Sequence, residues 1–227
     1  MFFERLCCID DLEPRPAALN MAVDEALLLM GMATGGDDTV LPVLRRYRWE
    51  RQSVSLGYFS RYDGVAARYP GWDLVRRWTG GGVVEHAGDF TYSLILPAGI
   101  SGSTSNQAIY RAVHAAIAGG LRRFGVSVDQ VSEPDPVASD ACFARAVVAD
   151  LRAHGRKVAG AAIRRHRRGL LLQGSVQGVM TPPGLLDAFA NGLAAEVRWE
   201  KISLPVVQAA EKVAASKYAL PAWTERF

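Results

Sequence analysis

Arg76-Arg77-Trp78-Thr79-Gly80-Gly81-Gly82-Val83-Val84-Glu85-His86 is the stretch on which the reading of the fold turns. It follows an alternating apolar run at 72–75 and precedes a strand-like run at 90–96. Two arginines, three consecutive glycines and a histidine therefore stand between two expected strands. Glycine tolerates positive φ and lets a ligand approach the backbone closely. Three in a row make a poor strand and a good cradle. The adjacent guanidiniums of Arg76 and Arg77 suit a carboxylate, a phosphate or an acyl carbonyl. The plainer reading of the same residues is a Gly-rich hairpin tip.

Outward from this stretch the pattern alternates strands and helices without βαβ regularity. Upstream, 2–9 reads as a strand and 15–32 leads into a helix. Leu19, Val23, Ala26, Leu27 and Met30 recur there at helical spacing. Asp24 and Glu25 fall on the other side and read as a solvated face. Gly35-Gly36-Asp37-Asp38 is a loop. Residues 43–49 and 53–59 look like paired strands joined by Glu50-Arg51-Gln52, and 60–69 is a short helix ended by Pro70. Downstream, 106–124 is the clearest helix, with Ile109, Val113, Ile117, Leu121 and Phe124 as its buried stripe, Ser105 as N-cap and Gly125 as stop signal. His114 on that helix reads as an ordinary core or surface histidine. A strand is expected at 126–131 and a polar loop at 132–141. Three consecutive antiparallel strands follow at 147–152, 157–164 and 170–176, then helices at 182–194 and 206–217. The sum is an α+β fold: a mostly antiparallel, mixed sheet with packed helices in a single domain over 1–227.

A chain of 227 residues that is 49% hydrophobic and 22% charged can bury a sizeable core and reads as soluble and globular. Net charge of only +3 gives no ground for a general nucleic-acid role. No apolar run approaches a membrane span, and the first residues lack the basic and apolar regions of a signal peptide. Cys7, Cys8 and Cys142 form neither a disulfide framework nor a zinc spacing, so no metal is expected and a reducing cytoplasm is the simplest setting.

Three further groups carry chemistry. Lys157 lies in Gly155-Arg156-Lys157-Val158-Ala159-Gly160. It is either an edge-strand charge or a cation aimed into a pocket, where it polarises an acyl carbonyl or holds a carboxylate. Cys142 closes the polar loop and is either a small buried hydrophobe or a thiolate nucleophile. His86 and Lys157 are its candidate partners. Arg164-Arg165-His166-Arg167-Arg168 is a solvated turn or a docking patch for an acidic protein.

Taken in order, these segments resemble the catalytic domain shared by lipoate–protein ligases, octanoyltransferases and, more distantly, biotin–protein ligases. Leu19-Asn20-Met21-Ala22-Val23-Asp24-Glu25 looks like the family's first-helix signature, and Ser53-Val54-Ser55-Leu56-Gly57-Tyr58-Phe59 like its hydrophobic-Gly strand. The Arg76 to His86 stretch matches its RR-x-(S/T)-GGG-x-x-x-H motif. Gly155-Arg156-Lys157-Val158-Ala159-Gly160-Ala161-Ala162 matches its Gly-Arg-Lys motif. Leu172-Gln173-Gly174-Ser175 falls at its H-G-(S/T) site, with Gln173 in place of histidine, and Ala161 replaces a common serine.

The resemblance implies a biotin/lipoate–protein ligase type of fold, class II synthetase-like. It implies transfer of an octanoyl or lipoyl group to a lysine of a lipoyl domain. Two branches differ in activation. Ligases form an acyl-adenylate with ATP and magnesium; transferases take octanoyl from acyl carrier protein or another carrier through a cysteine thioester, without a cofactor. Cys142, just upstream of the Gly-Arg-Lys strand, resembles the nucleophile of the cysteine-dependent, ligase-like octanoyltransferases. The end of the chain soon after the catalytic region points the same way. On this reading Cys142 and Lys157 are catalytic. Arg76, Arg77, Thr79, Gly80, Gly81, Gly82, His86, Gly160 and Ala161 bind substrate, the glycines as the wall of an acyl slot and the arginines at its mouth. Expected partners are acyl carrier protein and the lipoyl domains of 2-oxoacid dehydrogenase or glycine cleavage proteins, with no nucleic acid and no membrane. An ATP-dependent ligase, a biotin ligase and a non-catalytic carrier-binding homologue are the rival readings.

Overall fold

All eight residues of Gly169–Val176 are buried, and the molecule is built outward from that strand. The structure is a computed structural model and describes residues 1–31, 40–133 and 146–227. The strands are β1 (Phe3–Arg15), β2 (Val43–Trp49), β3 (Ser53–Leu56), β4 (Asp73–Arg76), β5 (Val83–His86), β6 (Phe90–Pro97), β7 (Asp129–Gln130), β8 (Leu151–Ala153), β9 (Arg156–His166), β10 (Gly169–Val176) and β11 (Ala194–Trp199). The helices are α1 (Ala17–Met30), α2 (Asp63–Ala66), α3 (Ala98–Ser101), α4 (Asn106–Arg123), α5 (Leu185–Leu193), α6 (Leu204–Val213) and α7 (Pro221–Thr224), with a π-helical turn at Ala214–Tyr218.

The large sheet runs β11-β1-β2-β6-β10-β9-β8-β7, and a small sheet runs β4-β3-β5. Pairing is parallel between β1 and both β11 and β2, and antiparallel from β2 through β6, β10, β9 and β8 to β7. The expected α+β class with a mixed sheet holds.

Strand alternation sorts β10 between two cores. Leu170, Leu172 and Val176 pack in the core that includes α4 and α5, whereas Leu171 belongs to the core that includes α1 and Val206 of α6. Gln173 and Ser175 share the face of Leu171 and so point toward α1 and the small sheet. On the other face, α4 begins as expected, with the Ser105 hydroxyl accepting from the Ala108 N–H at 3.1 Å. Ile109, Val113, Ile117 and Leu121 are fully buried, but Phe124 stands 40% exposed beyond the last buried turn. Gly120 lets α5 come close, since a Cβ there would meet Leu185 Cδ1 at 3.0 Å.

Several expectations are corrected. β2 and β3 do not pair: β2 lies between β1 and β6, while β3 starts the small sheet. Glu50-Arg51-Gln52 lacks the left-handed residues of a tight hairpin turn and instead carries the chain from one sheet to the other. Val83 to His86, read as part of a turn, is strand β5 paired with β3. Beyond the helix expected to end at 194, Ala194–Trp199 is a strand parallel to β1 that the sequence reading did not contain. Asp24 and Glu25 are buried, not solvated. The loop expected at Gly35-Gly36-Asp37-Asp38 lies outside the described residues, as does 134–141 of the polar loop.

Candidate active site

Between α1, the small sheet and the inward face of β10 and β9 lies a narrow, partly open cavity of about 30 Å³. Met21, Tyr47, Trp49 and Val84 give it apolar walls, and Gly160, Ala161 and Ala162 form its floor along β9. The register sets Gln173 opposite Ala162 and Ser175 opposite Gly160, which gives the cavity two chemically different ends.

At the Gln173 end the polar groups are saturated. Gln173 Nε2 donates to Asp24 Oδ2 at 2.8 Å, and Gln173 Oε1 accepts from Thr79 Oγ1 at 2.8 Å. The Asp24 carboxylate also receives Arg45 Nη1 and Ser93 Oγ, each at 2.8 Å. Arg45, wholly buried, reaches on to Asp11 Oδ2 at 2.6 Å and Asn20 Oδ1 at 2.8 Å. Such a network is tolerable in a core because its members satisfy one another. It holds α1 against β2 and β10 and closes this end of the cavity.

At the Gly160 end stand Lys157 and His86. β9 carries a bulge: Leu151 pairs with Ala159 and Arg152 with Lys157, leaving Val158 extra. A bulge re-aims side chains. Here it lets Lys157 turn over the strand, so that a Cβ on Gly160 would meet Lys157 Cε at 2.6 Å and Nζ at 2.7 Å. Lys157 Nζ pairs with Asp150 Oδ2 at 2.8 Å. Asp150 in turn accepts from the Val147 N–H and from the Tyr110 hydroxyl, which itself accepts from the Ala161 N–H. The lysine is thus a buried, oriented cation lying against the floor of the cavity. His114, behind this cluster, is a core histidine whose pKa burial pushes down to about 4.

His86 stacks on Trp49 with ring centroids 4.1 Å apart. Its Nε2 lies 2.7 Å from Ser55 Oγ and its Nδ1 lies 2.9 Å from Asp89 Oδ2. Arg77 Nη1 donates to Ser55 Oγ at 2.7 Å and so ties the His86 cluster to the Gly-rich turn. Asp89 Oδ2 also accepts from Ser175 Oγ at 2.5 Å and Thr91 Oγ1 at 2.7 Å. Burial alone would raise the Asp89 pKa, but the charge and hydrogen bond of His86 and the two hydroxyls hold it below the ordinary carboxylate value.

The expected site residues divide. Gly160, Ala161 and His86 line the cavity, Thr79 backs it through Gln173, and Lys157 lies against it. The arginines have other tasks. Arg76 is fully buried and donates to the carbonyls of Gly57, Tyr58, Ser60, Trp223 and Thr224. Arg77 borders the cavity but donates to the carbonyls of Ser55, Gly80 and Gly82. Arg76 is absent from the cavity lining, whereas Arg77 is part of it; both pin the Gly-rich turn, because buried carbonyls outside regular structure need donors. The glycines do not wall the slot either. β5 begins at Val83 and turns Val84 and His86 inward, while Gly81 and Gly82 face an outer groove with Phe59 and Arg61. Gly81 takes φ +84°, and Gly57 lies too close to the Gly81 carbonyl to carry a Cβ. Cys142 lies outside the described residues. Cys7 and Cys8 are buried, and burial, with the Glu200 charge, pushes the Cys7 thiol up to about 12.

Ser55, Asp89 and Tyr110 carry no site expectation from the sequence, and Asp24, expected on a solvated face, is wholly buried in the network. Asp89 stands three residues after His86, a spacing that could have marked it.

The apolar slot in a mixed sheet, with a buried lysine against its floor, defines a lipoate–protein ligase type of catalytic domain. Over the full chain the fold superposes on protein Ta0514 of T. acidophilum with a TM-score of 0.76 at 21% identity, covering 100% of both chains. A bi-partite lipoate protein ligase from Thermoplasma acidophilum, described with its E2 lipoyl domain, gives 0.71 at 20% identity over 99% of this chain and 97% of its own. The Lipoyl protein ligase A/B catalytic domain matches residues 16–189, and the chain belongs to that family. Among curated proteins, Octanoyltransferase LipM of Oceanobacillus iheyensis is 35% identical over 183 residues, covering 78% of this chain and 65% of that protein. The Octanoyltransferase LipM of Exiguobacterium sibiricum is 36% identical over 185 residues, covering 76% and 66%. The chain therefore spans just under two thirds of these relatives' length. Among the described residues, no helix is long and apolar enough to cross a membrane.

Proposed function

We propose that this chain transfers an octanoyl, or lipoyl, group from a carrier thioester to a lysine of a lipoyl domain through an acyl-enzyme on Cys142. The observation that carries the reading is the placement of Lys157: a cation fixed by Asp150 and lying on Gly160, at one end of a cavity whose walls suit an alkyl chain. Similarity to proteins named octanoyltransferase favours octanoyl transfer over adenylate chemistry.

The acyl chain lies along Val84 and Ala162 toward Gln173, with its carbonyl at Gly160. The Cys142 thiolate adds to the thioester carbonyl, the carrier thiol departs, and the acyl group rests on sulfur. Lys157 stabilises the developing oxyanion; a fixed donor in a water-poor site is worth far more than one in water. The lysine amine of the acceptor then adds, the C–S bond breaks and the thiolate is regenerated. No cofactor enters this sequence. The donor is acyl carrier protein or a second acylated carrier, and the acceptor is a lipoyl domain.

Incubation with octanoyl-acyl carrier protein is expected to add one octanoyl group to Cys142, seen by intact mass and absent in Cys142→Ala. The same variant is expected to lose transfer to a lipoyl domain entirely. Full transfer by Cys142→Ala, or lipoylation that runs only with lipoate, ATP and magnesium, would sink the proposal.

A further inference from the structure

β8 pairs with β9 only as far as Ala159, so beyond that point the outer edge of β9 has no strand beside it among the described residues. A main-chain donor left on that edge needs another acceptor. The N–H of Ala161, a residue that lines the cavity, finds one on α4: it donates to the Tyr110 hydroxyl at 3.0 Å. The same hydroxyl donates to Asp150 Oδ1, while Asp150 Oδ2 takes the Val147 N–H at 2.7 Å and Lys157 Nζ at 2.8 Å. Tyr110 thus joins the cavity floor to the carboxylate that holds the lysine. Asp150 is wholly buried, and its Oδ1 lies 3.2 Å from where a Cβ on Gly160 would stand. The Tyr110 ring is itself backed by His114, with centroids 4.3 Å apart. Burial and the Asp150 charge push its pKa well above the ordinary phenol value, so the hydroxyl stays a donor. Tyr92 offers a contrast: it is fully buried and feels the same Asp150 charge, yet its hydroxyl has no hydrogen-bond partner among the described residues.

We infer that Tyr110 is a positioning residue: it sets the Lys157 ammonium over Gly160 by locking the Asp150 carboxylate to the free edge of β9. What the ammonium does there rests on the transfer reading; how it is held does not. The place calls for a hydroxyl. One oxygen accepts from a peptide N–H and donates to a carboxylate at once, which neither a carboxylate nor an ammonium can do. Removing that oxygen leaves Asp150 Oδ1 and the Ala161 N–H unpaired together, and unpaired buried groups move or rotate to find partners. A carboxylate free to turn about its Cβ–Cγ bond takes the ammonium with it. A donor in an acyl-transfer site is effective only when it already stands where charge develops on the carbonyl oxygen. Tyr110 touches no reacting atom; its effect reaches the acyl carbonyl through Asp150 and Lys157.

Labelling of the full chain with acetic anhydride, read residue by residue from peptide masses, reports on the lysine directly. The chain has four lysines, so Lys201, Lys212 and Lys217 serve as internal references. Tyr110→Phe is expected to raise labelling of Lys157 by about tenfold relative to these, and Tyr92→Phe, which removes an unbonded hydroxyl near the same carboxylate, to leave it unchanged. Native labelling of Lys157 in a folded Tyr110→Phe, or an equal rise in Tyr92→Phe, overturns the proposal. The native chain supplies a check that needs no variant. Amide exchange at Ala161 is expected to be at least about a hundredfold slower than at the exposed turn residue Gly155; equally fast exchange at the two overturns the clamp even if Tyr110→Phe does not fold. A further readout separates positioning from the transfer reading. In Tyr110→Phe the rate of octanoyl loading onto Cys142 at saturating acyl carrier protein is expected to fall by about tenfold, with the half-saturating concentration unchanged. A change confined to the half-saturating concentration counts against positioning. Absence of loading in the native chain sinks the transfer reading alone, since labelling of Lys157 needs no acyl carrier.

Discussion

Two neighbouring glycines on paired strands separate chemistry from stability at the residue scale. A Cβ on Gly160 would press on the far end of the Lys157 side chain, with Asp150 Oδ1 next at 3.2 Å. Gly160→Ala is therefore expected to change unfolding free energy by less than about 1 kcal/mol, yet to displace the ammonium and lower transfer by at least about tenfold. A Cβ on Gly174 would instead strike the ring of Tyr92, which is fully buried and packed edge-on against Phe189 at 5.2 Å. Gly174→Ala is expected to lower stability by about 1–3 kcal/mol through overpacking. Denaturant melts and transfer rates on both variants check the contrast; equal loss of stability in the two would contradict it. Sequence made Gly160 and Lys157 visible as a motif, but not their contact. That contact depends on the bulge at Val158, and no residue type there announces an extra position. Asp24 was misplaced for a related reason: helical periodicity registers apolar residues, so an acid buried on a polar network reads as solvent-facing.

Elements pinned from a distance govern the Gly-rich turn. Arg76 donates to carbonyls at both Gly57 and Thr224, and Trp223 Nε1 returns a bond to the Arg76 carbonyl at 3.0 Å. Lys217 lies 4.3 Å from the ring centres of both Trp78 and Trp223 and pairs with Glu25 at 2.5 Å. The segment at 214–224 is thus a strap across β4 and the turn that follows it. Arg76→Lys keeps the charge but loses the planar fork. It is expected to speed amide exchange at 77–82 and at 219–224 together, with a fall in transfer rate, and removal of 219–227 is expected to do the same at 77–82. Exchange at 77–82 indifferent to both changes would refute the strap. The clear elements in the sequence were those whose partners are close in the chain or whose period is long: α4, and the β9–β10 hairpin. β5 and β11 were missed because a four-residue strand after three glycines, and a six-residue strand fused to a helix, acquire their pairing only from β3 and β1, far away in sequence.

Charge acts at the scale of the whole molecule. A net +3 is too small to guide association by itself, so the distribution of cations decides whether a carrier is steered. Arg164 is folded under the Tyr58 and Trp78 rings and bonds the Trp78 carbonyl at 3.3 Å, while Arg165 holds the Ser101 carbonyl at 2.6 Å and Asn106 Oδ1 at 2.7 Å. The basic run therefore contributes Arg167 and Arg168 as its exposed arginines with no internal task of this kind. On the transfer reading, an acidic carrier would meet those two together with Arg48 and Arg51, which line a second groove bordered by Trp49 and His86. Raising ionic strength from about 0.05 to about 0.5 M shortens the reach of such charges several-fold. KM for the carrier is expected to rise several-fold over that range while the rate at saturating carrier stays level, because Lys157 and Asp150 are buried and little screened. Reversing Arg167 and Arg168 to glutamate should raise KM at low salt and flatten its salt dependence. Reversing Arg165 should instead lower stability, by cutting the link from β9 to the loop before α4. A KM insensitive to salt in the native chain would leave the basic run a solvated turn, and carrier recognition would then fall to the uncharged contacts of the groove.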